Sequence, residues 1–337
     1  MPRNMLRTAQ SRVAVPRDFL HDLYNAGMTS QPKKHGRAAR LLAEHRLTEK
    51  RNAASKNLDR MTAREIVRLM NREDRKVARA VGRESGTIAR AVDAIVGAIR
   101  KGGRLIYVGA GSSGRMGVLD AAECPPTFGT SPKLVVALIA GGRRAITRAV
   151  EGAEDSERNG ARDLRAKKLT RRDVVVGIAA SGTTPYVVGA LKFARRCGAM
   201  TVAVTSNLRM PVGRVAKIVI APEVGPEVLT GSTRLKAGTS QKMVLNMLST
   251  AVMARLGHVY ENLMIDMMLT NEKLAERALR ILAEASGKSV SAAEHALRAA
   301  GHDLRIALVM LKRGAGAAEA KKRLKTFDGD LRGALGE

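Results

Sequence analysis

The 337-residue chain has no tryptophan, and aromatic residues make up only 2% of it. Its core must therefore be built from aliphatic side chains and from its 15 methionines. Proteins that bind nucleic acids commonly stack bases on aromatic side chains and cluster their basic residues on one face. Here aromatics are scarce and the basic residues are spread along the whole chain, which argues against specific nucleic-acid recognition.

Three further absences narrow the class of protein. The only cysteines, Cys124 and Cys197, lack metal-ligand spacing and form no disulfide framework, which is typical of reduced thiols in the cytoplasm. No run of about 18 apolar residues exists, so the sequence predicts no transmembrane helix. The N-terminus lacks the apolar stretch of a signal peptide. We therefore expect a cytoplasmic protein without a membrane partner.

Acidic residues are also few: 31 Asp and Glu stand against 59 Lys and Arg, for a net charge of +28. Residues 1–46 hold nine basic and three acidic residues and show little periodicity, and we interpret them as a basic, disordered tail. A nucleic-acid role for this tail stays open as a side hypothesis. The remaining charge favours encounters with phosphorylated metabolites.

Helical and strand patterns follow the tail. Thr62–Glu65 has the pattern of a capping box, and a second helix is predicted over Ile88–Arg100. Five short β-branched runs then alternate with segments of helix length, which predicts βαβ units and a parallel sheet. The predicted strands are Arg104–Val108, Leu134–Ala140, Val174–Ala180, Met200–Thr205 and Ile218–Ala221.

The chain turns helical again after Gly231, and a second capping box is predicted at Ser291–Glu294. We read the last residues as a small three-helix unit. The predicted domains are a tail over 1–46, N-terminal helices over 47–94, a sugar-phosphate-binding domain over 95–258, a helical connector over 259–285 and the three-helix unit over 286–337.

Two turns rich in glycine and hydroxyl side chains follow the first and third predicted strands. The first runs from Gly109 through Gly111, Ser112, Ser113 and Gly114 to Arg115. A glycine turn that opens a helix offers free N–H groups and the helix dipole to an anion. The second turn contains Ser181, Gly182 and Thr183. Such a pair after two parallel strands can hold one phosphate from two sides.

The first turn also fits the dinucleotide fingerprint G-x-G-x-x-G. That fingerprint expects an acidic residue about 20 positions further on, at the end of the second strand. Here the second strand runs into Gly141, Gly142 and Arg143 instead. Dinucleotide binding and a purely structural turn therefore remain weaker alternatives.

Two glutamates near the turns are candidates for proton transfer. Glu123 precedes Cys124 and two prolines, and we expect this apolar corner to desolvate its carboxyl group and raise its pKa. Glu154 lies beyond the second strand. His258 has no partner motif, and we interpret it as structural.

Several stretches resemble the bacterial N-acetylmuramic acid 6-phosphate etherases. They are Leu105–Gly129, Val150–Ser156, Gly177–Gly182, Val224–Thr239, Gln241–Thr250, Asn262–Asp266 and Thr270–Leu274. The resemblance covers about residues 47–335. The mammalian glucokinase regulatory protein is similar in part of these motifs and shares the sugar-isomerase (SIS) fold.

The resemblance implies an α/β fold: a parallel-sheet, flavodoxin-like SIS domain with a helical N-terminal segment and a small C-terminal unit. It implies a carbon–oxygen lyase that acts on N-acetylmuramic acid 6-phosphate, in a homodimer and without metal or other cofactor. The products would be N-acetylglucosamine 6-phosphate and D-lactate.

The resemblance also assigns roles to residues. The proton-donor glutamate of the family matches Glu123, and its second catalytic glutamate matches Glu154. By similarity to the regulatory protein, the hydroxyl turns would contact the sugar phosphate through Ser112, Ser113, Ser181, Gly182 and Thr183. We also expect Gly111 and Gly114 of the first turn to take part in binding. We further expect Arg234 and Lys236, in the longest matching stretch, to hold the carboxylate of the lactyl group.

Two departures from the family pattern stand out. The family commonly has arginine where this chain has Thr183, so one anion contact would be missing or would be replaced, for instance by Arg115. The basic tail is the second departure.

Two other functions stay open. An aldose–ketose isomerase of the SIS class would share the phosphate turns but not the pair Glu123 and Glu154. A non-catalytic sugar-phosphate sensor that regulates a partner would not need both glutamates.

Overall fold

The computed structural model describes residues 46–337. The predicted basic tail therefore lies outside the described residues, apart from Arg46. At the start of the described part, three short 3₁₀ turns occupy Leu47–Glu49, Ala53–Ser55 and Leu58–Arg60.

A five-stranded parallel sheet forms the centre of the fold. Its strands are β1 (Leu105–Gly109), β2 (Val135–Ile139), β3 (Val174–Ile178), β4 (Met200–Val204) and β5 (Ile218–Ile220). All five predicted strands are confirmed to within two residues at each end. The strand order is β2-β1-β3-β4-β5, with every neighbouring pair parallel. This is the flavodoxin-like order that we expected.

Helices account for most of the remaining described residues. They are α1 (Ala63–Gly82), α2 (Ser85–Arg100), α3 (Gly111–Phe128), α4 (Arg144–Thr147), α5 (Glu157–Ala166), α6 (Pro185–Arg196), α7 (Pro211–Val215), α8 (Lys236–Arg255), α9 (Glu272–Ser286), α10 (Val290–Ala299), α11 (Leu304–Arg313), α12 (Ala317–Thr326) and α13 (Leu331–Leu335). None of the helices in this part of the chain is long and apolar enough to span a bilayer.

The sheet is buried on both faces, which explains why its strands are continuous apolar runs. Side chains such as Leu105 and Val176 pack on one face with buried residues of α1, α2, α3 and α8. Side chains of opposite orientation, such as Ile106 and Val175, pack on the other face with α5, α6 and α7. The carboxyl ends of all five strands therefore meet at one edge between two helical layers.

Two predicted capping boxes have different outcomes. The box at Thr62 is confirmed: its hydroxyl accepts a hydrogen bond from the Glu65 N–H, and the Glu65 carboxylate accepts one from the Thr62 N–H at 2.7 Å. The box at Ser291 is wrong, because α10 already begins at Val290. Its N-cap is Ser289, whose hydroxyl accepts a hydrogen bond from the Ala292 N–H at 3.2 Å.

The C-terminal part contains more helices than we predicted. Four helices, α10 to α13, lie in the region where three were expected. The helix α9, expected as a connector, shares one apolar cluster with them through Ile281 and Leu282. The extra helix is the last short turn, Leu331–Leu335, which has too few residues to show a period in the sequence. The domain boundaries themselves stay a prediction.

Candidate functional site

The first hydroxyl turn joins β1 to α3. Ala110 is extended, and α3 begins at Gly111, whose φ is +51°. Gly114 lies so close to the sheet that a Cβ there would come within 2.6 Å of the Ile139 side chain. Glycine at this position lets α3 approach the strand ends. The free N–H groups of the first turn and the helix dipole then favour an anion at the edge of the sheet.

The second hydroxyl turn joins β3 to α6. The Ser181 hydroxyl accepts hydrogen bonds from the N–H of Thr183 at 3.2 Å and from its hydroxyl at 3.1 Å. Gly182 has a φ of +74°, and a Cβ there would lie 2.5 Å from the Cβ of Met210. Only glycine fits this position. Pro185 is the first residue of α6, as the sequence predicts.

The structure brings these two turns together. β1 and β3 are adjacent, and Gly109 at the end of β1 pairs with Ile178 at the end of β3. The strand order reverses between β1 and β3, and ligands of open α/β sheets bind outside the carboxyl ends at such a point. The turns thus occupy the position that this fold class uses for ligands. Their contact with a phosphate stays a prediction.

Glu154 lies beside both turns. Its backbone carbonyl accepts a hydrogen bond from the N–H of Tyr186, at 2.9 Å, in the first turn of α6. It lines a cavity of about 170 Å³ together with Gly111 at the start of α3. Burial of the carboxyl group, followed by the charges of Asp155 and Glu151, raises the pKa of Glu154. A raised pKa makes a carboxylate a better general base.

Arg115 holds the segment before Glu154 in place. Its Nε donates to the carbonyl of Ile146 at 2.9 Å, and its Nη2 donates to the carbonyl of Arg148 at 3.0 Å. Arg115 and Arg148 both line the small cavity beside Gly111. The cavity is therefore lined by two arginines and by the two acidic residues Glu151 and Glu154.

Glu123 is placed differently from the other predicted residues. It is exposed in the second half of α3, and the helix continues through Pro125 and Pro126 to Phe128. The predicted apolar corner does not exist, and the expectation that it desolvates Glu123 is wrong for the single chain. The structure does not bring Glu123 to the two turns of the same chain.

Arg234 and Lys236, the two residues predicted to bind the lactyl carboxylate, differ in their exposure to solvent. Arg234 is exposed, in the segment before α8. Lys236 is only 1% exposed, and its ammonium group donates to Glu73 of α1 at 2.8 Å. This placement disagrees with the prediction for Lys236, because its charge is already neutralised inside the protein.

The Glu73–Lys236 pair belongs to a buried polar network. Burial acts to raise the pKa of Glu73, but hydrogen bonds from Lys236, Lys76 and Asn52 outweigh it and lower the pKa to about 2. The Glu227 carboxylate accepts hydrogen bonds from the first two N–H groups of α8, at 3.0 and 2.9 Å. The network joins α1 to the start of α8, and its role is structural.

Sequence reasoning missed Asp120. Its carboxylate accepts a hydrogen bond from the buried Tyr107 hydroxyl at 2.8 Å and one from Ser249 of α8 at 3.0 Å. Burial outweighs these bonds and raises the pKa of Asp120. The signal available in the sequence was a lone acid inside an apolar helical stretch, three residues before Glu123.

His258 has a structural contact and the cysteines are not in a disulfide, as the sequence analysis predicts. The Nδ1 atom of His258 lies 2.7 Å from the Asp266 carboxylate, so the side chain has a structural partner. Cys124 and Cys197 are both free. A further cavity, of about 920 Å³, lies along the edge strand β2 and does not include the hydroxyl turns.

Comparison with known proteins identifies the class of domain. Residues 87–195 match the family described as the N-terminal SIS domain of glucokinase regulatory protein, and residues 148–251 match the SIS domain. The fold and the paired turns thus define a SIS-domain protein.

Two full-length relatives narrow the family. The chain is 53% identical to the N-acetylmuramic acid 6-phosphate etherase of Geobacillus thermodenitrificans (strain NG80-2), over 87% of this chain and 100% of the relative. It is 53% identical to the etherase of the same name from Serratia proteamaculans (strain 568), over 86% of this chain and 97% of the relative. The chain belongs to the N-acetylmuramic acid 6-phosphate etherase family.

The solved structures are more distant. Phosphoheptose isomerase GmhA from Neisseria gonorrhoeae is 15% identical, with a TM-score of 0.45, over 57% of this chain and 100% of that one. This similarity is too low to support a conclusion about function.

Proposed function

We propose that this chain cleaves the D-lactyl ether of N-acetylmuramic acid 6-phosphate. The observation that carries the proposal is the position of Glu154, in a member of this etherase family. Glu154 shares a cavity with the start of the first hydroxyl turn, and its carbonyl accepts a hydrogen bond from Tyr186, just after the second turn. The products are N-acetylglucosamine 6-phosphate and D-lactate. This reaction recycles the amino sugar of peptidoglycan.

Substrate binding begins at the phosphate. The N–H groups at the start of α3 and the hydroxyls of Ser112, Ser113 and Ser181 surround the anion, with the α3 dipole adding to the attraction. We propose that Arg115, which lines the cavity beside Gly111, compensates for the arginine that the family commonly has at position 183. Arg234 remains the proposed partner of the lactyl carboxylate.

The chemistry is an elimination followed by an addition. The open-chain sugar has an aldehyde at C1, which makes the C2 proton acidic. Glu154 removes this proton, the electron pair forms a C2–C3 double bond, and the C3–O bond breaks. Glu123 protonates the departing ether oxygen, and lactate leaves. Water then adds its oxygen to C3 and a proton to C2, which gives N-acetylglucosamine 6-phosphate.

The raised pKa of Glu154 supports its role as the base. A general base works best when its pKa approaches the working pH, and a carboxylate is still ionised there. A phosphate bound nearby would add a further negative charge, which acts in the same direction and raises the pKa of Glu154 further.

The decisive experiment measures D-lactate release from N-acetylmuramic acid 6-phosphate by the purified protein. We expect release at catalytic enzyme concentrations, and its absence at high enzyme would contradict the proposal. Glu123→Gln should lose most of kcat, by roughly 10²- to 10⁴-fold, while binding of the phosphorylated sugar persists in calorimetry. An unchanged kcat would remove Glu123 from the reaction. Binding without lactate release in the native protein would instead indicate a sensor.

We further infer that the protein is a cytoplasmic homodimer. Phosphorylated sugars are cytoplasmic metabolites, and the two free cysteines suit a reducing compartment. Light scattering of the purified protein checks the dimer. Fractionation of cells that express the tagged chain checks the compartment.

A further inference from the structure

The two outer strands of the sheet are protected from further pairing to different degrees. β5 has only three residues, with Lys217 directly before it and Pro222 two residues after it. β2 has five residues, VVALI, and contains neither a charged residue nor a proline. Short strands, lysine and proline are features by which proteins prevent an exposed edge from pairing with another chain. β2 itself has none of these features.

The outer side of β2 has no partner strand in the part of the chain that the structure describes. Its inner side pairs in parallel with β1 over all five residues. The strand order β2-β1-β3-β4-β5 leaves β2 at the end of the sheet. Within residues 135–138, the N–H and C=O groups that face away from β1 are therefore free to bond to an added strand.

A cavity of about 920 Å³ runs along this free side of β2, and we call it the β2 groove. All five strand residues line it, between a wall from α3 and a wall from α5. A further strand beside β2 needs a slot about 4.8 Å wide, about 10 Å thick and about 17 Å long, or about 800 Å³. The β2 groove thus has the size of one strand of about five residues.

The two walls of the β2 groove differ in polarity. The α3 wall is apolar and includes Val118, Ala121 and Pro125, whereas the α5 wall includes the charged pair Arg162 and Asp163. The inner strands β1 and β3 are completely buried, but the three central residues of β2 are only partly buried. An added strand with apolar side chains toward α3 and polar ones toward α5 would remove this apolar surface from water.

Basic residues lie at both ends of the β2 groove. Arg143 follows the carboxyl end of β2, and Lys167 lies at the amino end, where its carbonyl contacts the residue before β1. Asp163 is the one acidic residue among those that line the groove. It already pairs with Arg162 at 2.9 Å and accepts a hydrogen bond from the Tyr186 hydroxyl at 2.9 Å. The groove therefore has an excess of positive charge, which matches an occupant with acidic ends.

We propose that the β2 groove binds an extended segment of a partner polypeptide as a sixth strand of the sheet. The backbone of the segment pairs with the outer side of β2, and its alternate apolar side chains pack against the α3 wall. Acidic residues at its two ends meet Arg143 and Lys167. A second copy of β2 is a poorer occupant, because it would place one basic groove against another. The proposal is independent of the etherase reaction, since no residue of the groove has a role in it.

The test uses the full chain and a fluorescein-labelled synthetic peptide, Asp-Glu-Val-Thr-Val-Thr-Val-Glu-Asp. One control peptide has proline in place of the central valine, which removes a backbone donor and prevents pairing along the strand. A second control has lysine in place of all four acidic residues. Fluorescence anisotropy should show saturable binding of the acidic peptide and at least roughly tenfold weaker binding of each control. Equal binding of either control would overturn the proposal, as would no binding at about 1 mM peptide.

Hydrogen–deuterium exchange locates the bound peptide. The acidic peptide should slow exchange of the backbone N–H groups of residues 135–139 and leave those of β5 unchanged. If β2 shows no slowing, the peptide binds elsewhere or a second copy already covers the strand. Either result would overturn the proposal.

Variants of the chain test the charge match from the other side. Arg143 and Lys167 are both exposed, so the double variant Arg143→Glu, Lys167→Glu should fold, and thermal unfolding checks this. It should bind the lysine-ended peptide at least roughly tenfold more tightly than the acidic one, which reverses the native preference. Val290→Glu, at a residue 53% exposed on α10, is the control and should keep the native preference. An unchanged preference in the double variant would overturn the proposal.

Discussion

The carboxyl edge of the sheet and the Glu123 face of α3 both carry predicted catalytic residues, but they are built differently. At the edge, glycines with no room for a side chain and a buried ion pair hold the hydroxyl turns and the start of α8. On the α3 face, Glu123 is exposed among apolar side chains. The difference teaches that the two predicted catalytic glutamates lie in unlike surroundings: Glu154 lines the cavity beside the first hydroxyl turn, whereas Glu123 lies on the exposed second half of α3.

The largest expected effect comes from the catalytic group at the edge. Glu154→Gln removes the proposed base without changing its size, and kcat should fall by roughly 10²- to 10⁴-fold. Glu157→Gln is a matched control, because Glu157 lies three residues away and pairs with Lys192 on the surface. Lactate-release kinetics compare the two variants. Equal activity of the two variants would contradict the catalytic role of Glu154 and, with it, the distinction between the edge of the sheet and the exposed face of α3.

The next effect concerns the buried pair. Glu73→Gln leaves the Lys236 ammonium buried without a counter-charge, which should lower the free energy of unfolding by about 3–5 kcal/mol. Asp93→Asn breaks an ion pair to Arg255 whose side chains are both mostly exposed, and should cost about 0–1 kcal/mol. Urea denaturation measures both. Similar decreases in the free energy of unfolding would show that the buried pair stabilises the protein no more than the surface pair does.

A smaller effect comes from packing at the first turn. Gly114→Ala forces a Cβ within 2.6 Å of Ile139, and overpacking of this kind should cost about 1–3 kcal/mol. Gly97 lies in α2 with open space around its missing Cβ. Gly97→Ala should instead stabilise the protein by about 0.5–1 kcal/mol. Thermal unfolding should therefore shift in opposite directions for the same substitution.

The last effect is a pH dependence of the stability that Glu73 contributes. The pKa of Glu73 is lowered from 4.5 to about 2 in the folded protein. Its ionised form therefore stabilises the fold fully above about pH 4.5, and this contribution is lost as the pH falls toward 2. Unfolding midpoints between about pH 5 and pH 2 should decline less steeply in Glu73→Gln than in the native protein. Parallel curves would contradict this linkage.

Prediction from sequence succeeded for elements whose sequence pattern is local, such as apolar runs and helix-start residues. Continuous apolar runs predicted all five strands, because a parallel sheet is buried on both faces. Pro185 and Thr62 marked helix starts through their own backbone chemistry. The box at Ser291 failed because Ser289, one position before the helix, is the N-cap instead. Ser289 has alanine three residues later and so lacks the glutamate of a capping box, which is why the sequence rule favoured Ser291.

The candidate site also contains features that the local sequence predicts and features that it does not. The hydroxyl turns were predictable because parallel strands that are neighbours in a sheet end at the same edge. Lys236 was misassigned, since nothing near it in the sequence indicates a partner 163 positions away in α1. Asp120 was overlooked for the same reason: its partners come from β1 and α8. Burial and pairing of a charge depend on residues that are distant in sequence.

By itself, the sequence determined the strands, the glycine turns that follow β1 and β3, and the chemical groups available for a sugar phosphate. These depend on side-chain periodicity and on local backbone freedom, which are legible along the chain. Only the tertiary structure decided that Glu154 lies at the turns while Glu123 lies about 18 Å away along α3. The reason is that a helix rises by a fixed distance per residue, so residues close in sequence can lie far apart along it. Neighbouring parallel strands, in contrast, bring together turns that are far apart in sequence.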